Sequence, residues 1–199
     1  MKKRAASLKR KTSETAIQIK LTVDGAGRSD IDTMIPFLDH MLTLLAKHGL
    51  WDLEVKARGD LQVDIHHTNE DLGITLGQAL TKALGDKKGI RRYGSFAVPM
   101  DEALIRVTLD ISGRPSLHVI KEKGVRFSRQ PKYTFDDALD FLRAFCQHAG
   151  INMHLGVLAG EDTHHIIEGM FKGLAKALDM ATSLDPRVRG VPSTKGRLS

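Results

Sequence analysis

The chain has 199 residues with a net charge of +6, and 41% of them are apolar, enough for one large domain or two small ones packed together. No apolar run approaches the roughly 18 residues of a membrane span, and the basic N-terminus lacks the apolar stretch of a secretory signal. The lone Cys146 cannot form an internal disulfide, so a cytoplasmic setting is expected.

The positive charge is concentrated in Lys2, Lys3, Arg4, Lys9, Arg10 and Lys11, all before the first acidic residue, Glu14. The rest of the chain is near neutral. That distribution predicts a solvated basic tail over residues 1–13 and no nucleic-acid or membrane partner. Next, "TAIQIKLTVDG" (15–25) alternates apolar and polar residues as a half-buried strand. "PFLDHMLTLLAKHG" (36–49) opens on Pro, closes on Gly and carries Leu38, Met41, Leu42 and Leu45 at helical spacing. "WDLEVKARG" (51–59) alternates again, and a second helix begins near His66 with Leu72, Leu76, Leu80 and Leu84 on one stripe.

The same order returns in the second half. "SFAVPM", "ALIRVTLDIS" and "SLHVIKE" read as strands, and "TFDDALDFLRAFCQHAG" as a helix capped by Thr134 and ended by Gly150. "INMHLGVLAG" reads as a strand and "HHIIEGMFKGLAKALDMA" as a closing helix. Helix, strand, HHxxE and helix thus recur about one hundred residues apart, which points to internal duplication. The expected fold is α+β, two sheet-plus-two-helix halves at 14–91 and 92–183, with the helices on one face of each sheet. The Pro/Gly/Ser-rich 184–199 is expected to be an extended arm.

The pentapeptides "HHTNE" (66–70) and "HHIIE" (164–168) carry the chemistry. On a helix, Glu70 shares a face with both His66 and His67, while the two rings diverge by about 100°. A Glu and one His can hold an ion from one turn, and the neighbouring His must point to another. His164, His165 and Glu168 repeat the arrangement. Four imidazoles and two carboxylates suit two sites for Mn²⁺, Fe²⁺ or Zn²⁺ better than for Mg²⁺ or Ca²⁺. HHxxE also differs from HExxH, which counts against a peptidase. Aligning the halves on Leu45/Phe145 and His48/His148 sets His40 opposite Asp140.

The segments "IDTMIPFLDHMLTLLAKHG", "DIHHTNEDLGITLGQAL", "GIRRYG", "DISGRP", "HHIIEGMFKGLAKAL" and "VPSTKG" closely resemble the imidazoleglycerol-phosphate dehydratase family, from about Glu14 to Leu198. The resemblance implies a duplicated fold of the ribosomal-protein-S5-domain-2 type. It also implies a homo-oligomer of 24 subunits, with two Mn²⁺ per active site lying between subunits. It makes His40, His66, His67, Glu70, His164, His165 and Glu168 metal ligands. Most of the family has a histidine where this chain has Asp140, a departure that leaves an oxygen ligand there, with His148 and His154 as alternative donors. Arg92, Arg114, Ser193 and Lys195 correspond to phosphate contacts, for which guanidinium forks and a Gly-flanked loop are chemically apt. Glu14 corresponds to a glutamate at the substrate hydroxyls.

The implied reaction converts imidazole glycerol phosphate to imidazole acetol phosphate and water, in histidine biosynthesis. The proton to be lost is not acidic and no carbonyl accepts the charge, so metal ions on the ring nitrogens are expected to stabilise an imidazolate. Glu14, Glu70 and Glu168 are the candidate proton-handling groups. Two other functions fit the pattern less well. A di-metal phosphoester hydrolase would use a metal-activated water instead of a substrate azole. An RNA-binding module would need a basic, aromatic-studded face that a near-neutral body with 5% aromatics does not offer.

Overall fold

The computed structural model describes residues 3–128 and 132–198. Twelve elements run β1 (Ala5–Lys11), β2 (Thr15–Thr22), β3 (Ser29–Asp32), α1 (Pro36–Gly49), β4 (Asp52–Gly59), α2 (His66–Leu84), β5 (Tyr93–Met100), β6 (Ala103–Asp110), β7 (Ser116–Lys121), α3 (Phe135–Ala149), β8 (Asn152–Ala159) and α4 (Thr163–Thr182). They form two four-stranded sheets, ordered β1-β2-β4-β3 and β5-β6-β8-β7. In each the last strand pairs parallel and the others antiparallel. The internal duplication read from the sequence is therefore a duplication of topology.

The four helices fill the space between the sheets. Helix α2 lies on β1 and β2, α1 on β3, α4 on β5 and β6, and α3 on β7. Across the middle, α1 packs on α4 and α2 on α3, so each helical pair joins the two halves. The α2–α3 pair runs parallel at a nearly constant offset. Asn69 Nδ2 donates to the Asp137 carbonyl, Gly73 and Gly77 face the carbonyls of Phe141 and Phe145, and Thr81 Oγ1 donates to the His148 carbonyl. A Cβ on Gly73 would stand 2.6 Å from the Phe141 oxygen. These two glycines are what let the axes approach so closely.

Local chemistry explains most element ends. Thr134 Oγ1 accepts from the Asp137 N–H, and the Asp137 carboxylate accepts from the Thr134 N–H, a reciprocal cap on α3. Gly150 closes α3 in the left-handed region at φ 67°, while at the aligned place after α1 it is Leu50, at φ 55°, that turns left-handed.

One expectation is corrected, and one strand not read from the sequence appears. Of the expected tail 1–13, the described residues 3–13 do not form a solvated extension. Ala5–Lys11 is the edge strand β1, in register with β2 from Ala5↔Thr22 to Lys11↔Ala16, so the first half begins before Glu14. Its charges divide between the faces. Arg10 turns inward to Asp71 on α2 at 2.9 Å, Arg4 pairs with Asp24, and Lys9 and Lys11 stay exposed. Lys2 lies outside the described residues. Strand β3 is the second departure: "SDID" has no apolar alternation, and pairing Lys56 with Asp30 and Arg58 with Asp32 across to β4 accommodates its carboxylates. Residues 184–198 carry no helix or extended strand. Among the described residues no helix is long and apolar enough to cross a membrane.

Candidate metal and phosphate sites

All four helices present their N-terminal turns at one end of the layer, where the candidate ligands gather. His40 comes from the second turn of α1, and His164 and Glu168 from the start of α4. Glu168 Oε2 stands 3.4 Å from His40 Nε2 and 3.4 Å from His164 Nε2. All three donor atoms lie within 4.8 Å of one another. Metal–ligand bonds of about 2.1 to 2.2 Å at tetrahedral or octahedral angles require donors roughly 3.0 to 3.5 Å apart, so this cluster fits a divalent ion of the N/O-binding kind. Glu168 is buried, and burial by itself raises its pKa. The Lys172 ammonium, 2.6 Å from Oε1, and His40 outweigh that and hold it below the usual glutamate range. Lys172 thereby occupies one carboxylate oxygen and leaves the other facing the two rings.

The α2–α3 pair builds the counterpart. His66 Nδ1 lies 3.7 Å from Asp140 Oδ2, and the other Asp140 oxygen accepts from Arg143 at 2.5 Å. Glu70 sits exposed on the next turn. This group is looser than the first, although both come from matching elements. Neither alternative donor reaches it. His148 lies two helical turns beyond Asp140, and His154 is on the outer face of the second sheet, stacked on His118 at 4.6 Å.

The second histidine of each pair points away, as the helical phase demands. His67 Nδ1 meets Asp60 Oδ2 at 3.0 Å and Glu14 Oε2 at 3.8 Å. His165 Nδ1 meets Glu102 Oε2 at 2.7 Å. The Asp60 hydrogen bond raises the His67 pKa, with Glu14 adding to it, and Glu102 raises that of His165. The backbone N–H of Asp162, the His165 ring and the Glu161 N–H together bring Glu102 down to about 2. It is therefore an ionised acceptor, and the proton it receives sits on His165 Nδ1. Glu102 and Asp60 were not singled out from sequence. Glu102 had a signal there, because overlaying β2 on β6 sets Glu14 on Glu102; Asp60 had none.

The candidate phosphate contacts lie at the opposite end. The Arg92 N–H donates to the Ala181 carbonyl, at the far end of α4 from His164, and 17 residues of helix at about 1.5 Å each separate them by roughly 26 Å. The Arg92 guanidinium grips both Asp110 oxygens, at 2.7 and 2.9 Å, and donates to the Pro192 carbonyl at 2.9 Å. Asp110 raises its pKa and holds it charged. Arg92 thus pins the arm on which Ser193 turns toward the Lys195 N–H at 3.2 Å. Arg114 is exposed in the loop beside the C-terminal end of α3, where the Gly113 N–H meets the Gly150 carbonyl. One chain therefore does not bring its histidines and its phosphate contacts together. Nor do the histidines line a concavity of about 710 Å³ on the outer face of the first sheet among Lys20, Arg28, Asp52 and Glu54. A smaller recess of about 370 Å³ does hold Glu14 and Asp60.

Comparison with known proteins identifies the family. A family model described as imidazoleglycerol-phosphate dehydratase matches residues 33–178. The imidazoleglycerol-phosphate dehydratase of Caldanaerobacter subterraneus subsp. tengcongensis is 55% identical over 195 residues, covering 98% of this chain and all of that protein. That of Bacillus subtilis is 53% identical over 197 residues, again 98% of this chain and all of that protein. Among solved structures, the Staphylococcus aureus imidazoleglycerol-phosphate dehydratase superposes with TM-score 0.80 at 35% identity, covering 91% of this chain and 99% of that one. The Pyrococcus furiosus enzyme in complex with (S)-C348 superposes with TM-score 0.81 at 36% identity, covering 96% and 100%.

Proposed function

The chain belongs to the imidazoleglycerol-phosphate dehydratase family and is a dehydratase of histidine biosynthesis; from that premise we propose that it works with two Mn²⁺ per active site, in a cytoplasmic homo-oligomer whose sites lie between subunits. The observation that carries this is the separation of functions along α4. His40, His164 and Glu168 cluster within 4.8 Å at its start, while Arg92 is bonded to its end. A three-carbon phosphorylated side chain cannot bridge that gap, so ring and phosphate of one substrate need different chains. The family's 24-subunit assembly is the proposed arrangement.

Two ligand sets follow, one of His40, His164 and Glu168 and one of His66, Glu70 and Asp140, with His67 and His165 reaching out to complete sites on neighbouring chains. When bound, the ions supply Lewis-acid stabilisation of negative charge on the substrate's imidazole ring. The chain's own residues do the rest. Arg92, Arg114, Ser193 and Lys195 hold the phosphate, with Arg92 preset by Asp110 and Pro192. The product is a ketone on the middle carbon, so hydroxide leaves the carbon next to the ring and a proton leaves the middle one. Glu14 and Glu70 are exposed and able to exchange that proton, whereas Glu168 is committed to Lys172 and the two rings. Glu14, at the tip of the β1–β2 hairpin, is the proposed group at the substrate hydroxyls.

The test is turnover of imidazole glycerol phosphate by metal-stripped protein before and after Mn²⁺, with the mass in solution followed by light scattering. Activity and a large assembly should both depend on the ion, and His165→Ala should lose both. Full turnover by the stripped protein would overturn the metal assignment, and full turnover by a monomer would overturn the shared site.

A further inference from the structure

The two outward histidines are held alike by carboxylates that come from unlike places. Asp60, on the β4–α2 loop, meets His67 Nδ1 at 3.0 Å. Glu102, in the β5–β6 turn, meets His165 Nδ1 at 2.7 Å. The repeat equivalent of Glu102 is Glu14, which stands back at 3.8 Å from His67. The two halves thus reach one outcome, a carboxylate on Nδ1, through different residues.

That outcome has one chemical meaning. A carboxylate offers only acceptors, so each ring carries its proton on Nδ1 and keeps its free electron pair on Nε2. Glu102 is itself immobilised, because its other oxygen accepts from the N–H groups of Glu161 and Asp162 at 3.1 and 2.8 Å, just before α4 begins. Asp60 is four-fifths buried, with its second oxygen enclosed and without a hydrogen-bond partner, which leaves it to His67. On the open side, His165 Nε2 has among the described residues only Asp101, at 3.5 Å and 69% exposed, too distant and too solvated to hold it.

We propose that Glu102 and Asp60 are positioning residues that lock His165 and His67 in the Nδ1-protonated form, with Nε2 presented outward as the ligand atom each gives to a neighbouring chain's metal site. This rests on the metal assignment above. Each acts through a ring. Such supporting groups typically govern metal affinity by 10- to 100-fold.

The experiment is titration of the metal-stripped protein with Mn²⁺, followed by calorimetry and by the paramagnetic resonance of free Mn²⁺, for the unsubstituted chain and for Glu102→Gln, Glu102→Asp and Asp60→Asn. Glu102→Gln and Asp60→Asn are expected to bind Mn²⁺ about 10- to 100-fold more weakly. The melting temperature of Asp60→Asn without metal should be unchanged and that of Glu102→Gln modestly lowered with the loss of its charged acceptor, and in both excess Mn²⁺ should restore kcat, which damage to the site's fold would not allow. Glu102→Asp should recover part of the affinity. Should Glu102→Gln misfold for want of its backbone contacts, Asp60→Asn, whose side chain caps no backbone group, decides. Affinities within twofold of the unsubstituted chain would overturn the proposal. An unsubstituted chain that binds no Mn²⁺ would overturn the metal assignment as well, and that result appears in a different sample.

Discussion

Asp140 faces His66 across the α2–α3 contact at 3.7 Å, where its repeat counterpart His40 faces Glu168 across the α1–α4 contact at 3.4 Å. The duplication has kept the place and changed the donor. The first proposed set has two imidazoles and a carboxylate already gathered; the second, as proposed, has one imidazole and two carboxylates, with Asp140 shared with Arg143. Two classes of metal site should result. Titration with Mn²⁺ is expected to show one tight and one weaker ion per chain, the weaker one giving way less readily to Zn²⁺ because oxygen donors favour the harder ion. Asp140→His should bring the weaker class toward the tighter and raise its preference for Zn²⁺. No change in either would place Asp140 outside the coordination sphere.

Arg92→Lys separates charge from geometry. Lysine keeps the positive charge but cannot grip Asp110 with two N–H groups and reach the Pro192 carbonyl as well. Losing charge-assisted hydrogen bonds worth about 1.5 to 3 kcal/mol corresponds to roughly a 10- to 100-fold weaker phosphate grip. KM should rise by that order, while Mn²⁺ loading and the mass in solution stay unchanged. A fall in kcat with KM intact would place Arg92 at the reacting end instead.

Acid should weaken the metal-free fold along a predictable limb. Glu102 is lowered to about 2, and Asp52 and Asp185 are lowered further by Arg28 and Arg187 and by backbone N–H groups. Groups depressed in the folded state bind protons more readily in the unfolded chain, so their contribution is complete above the ordinary carboxylate range and is lost as pH falls through it toward the folded values. The melting temperature of stripped protein should therefore decline from about pH 4.5 downward. Glu102→Gln should make the decline shallower. An unaltered slope would mean that this carboxylate contributes nothing to folding.

What the sequence revealed and what it hid follow the range of the interactions. The α3 caps were legible because Thr134, Asp137 and Gly150 act within a turn of themselves. The divergence of each histidine pair was legible because helical phase is local. Strand β1 was not, since Ala6 and Leu8 are its only inward apolar residues and six nearby cations suggested a tail. Strand β3 was hidden for a related reason: Asp30 and Asp32 find Lys56 and Arg58 only once the register to β4 exists. Asp60 joins the site through contacts that no spacing rule encodes. Glu102 stood one alignment step away, opposite Glu14 in the repeat.

Gly73→Ala tests whether the α2–α3 approach sets the weaker metal site. The added methyl would lie 2.6 Å from the Phe141 carbonyl and 2.9 Å from the Ala144 methyl, and backbone cannot yield there without moving α3. Overpacking of this kind costs about 1 to 3 kcal/mol, so the melting temperature should fall. Because Gly73 lies one helical turn from both Asn69 and Gly77, the shift should propagate along the pair and draw Asp140 away from His66. The α1–α4 pair shares no backbone with that contact. The expected result is loss of the weaker Mn²⁺ class with the tight class retained. Equal weakening of both classes would show that the two ligand sets are mechanically coupled through the helical layer.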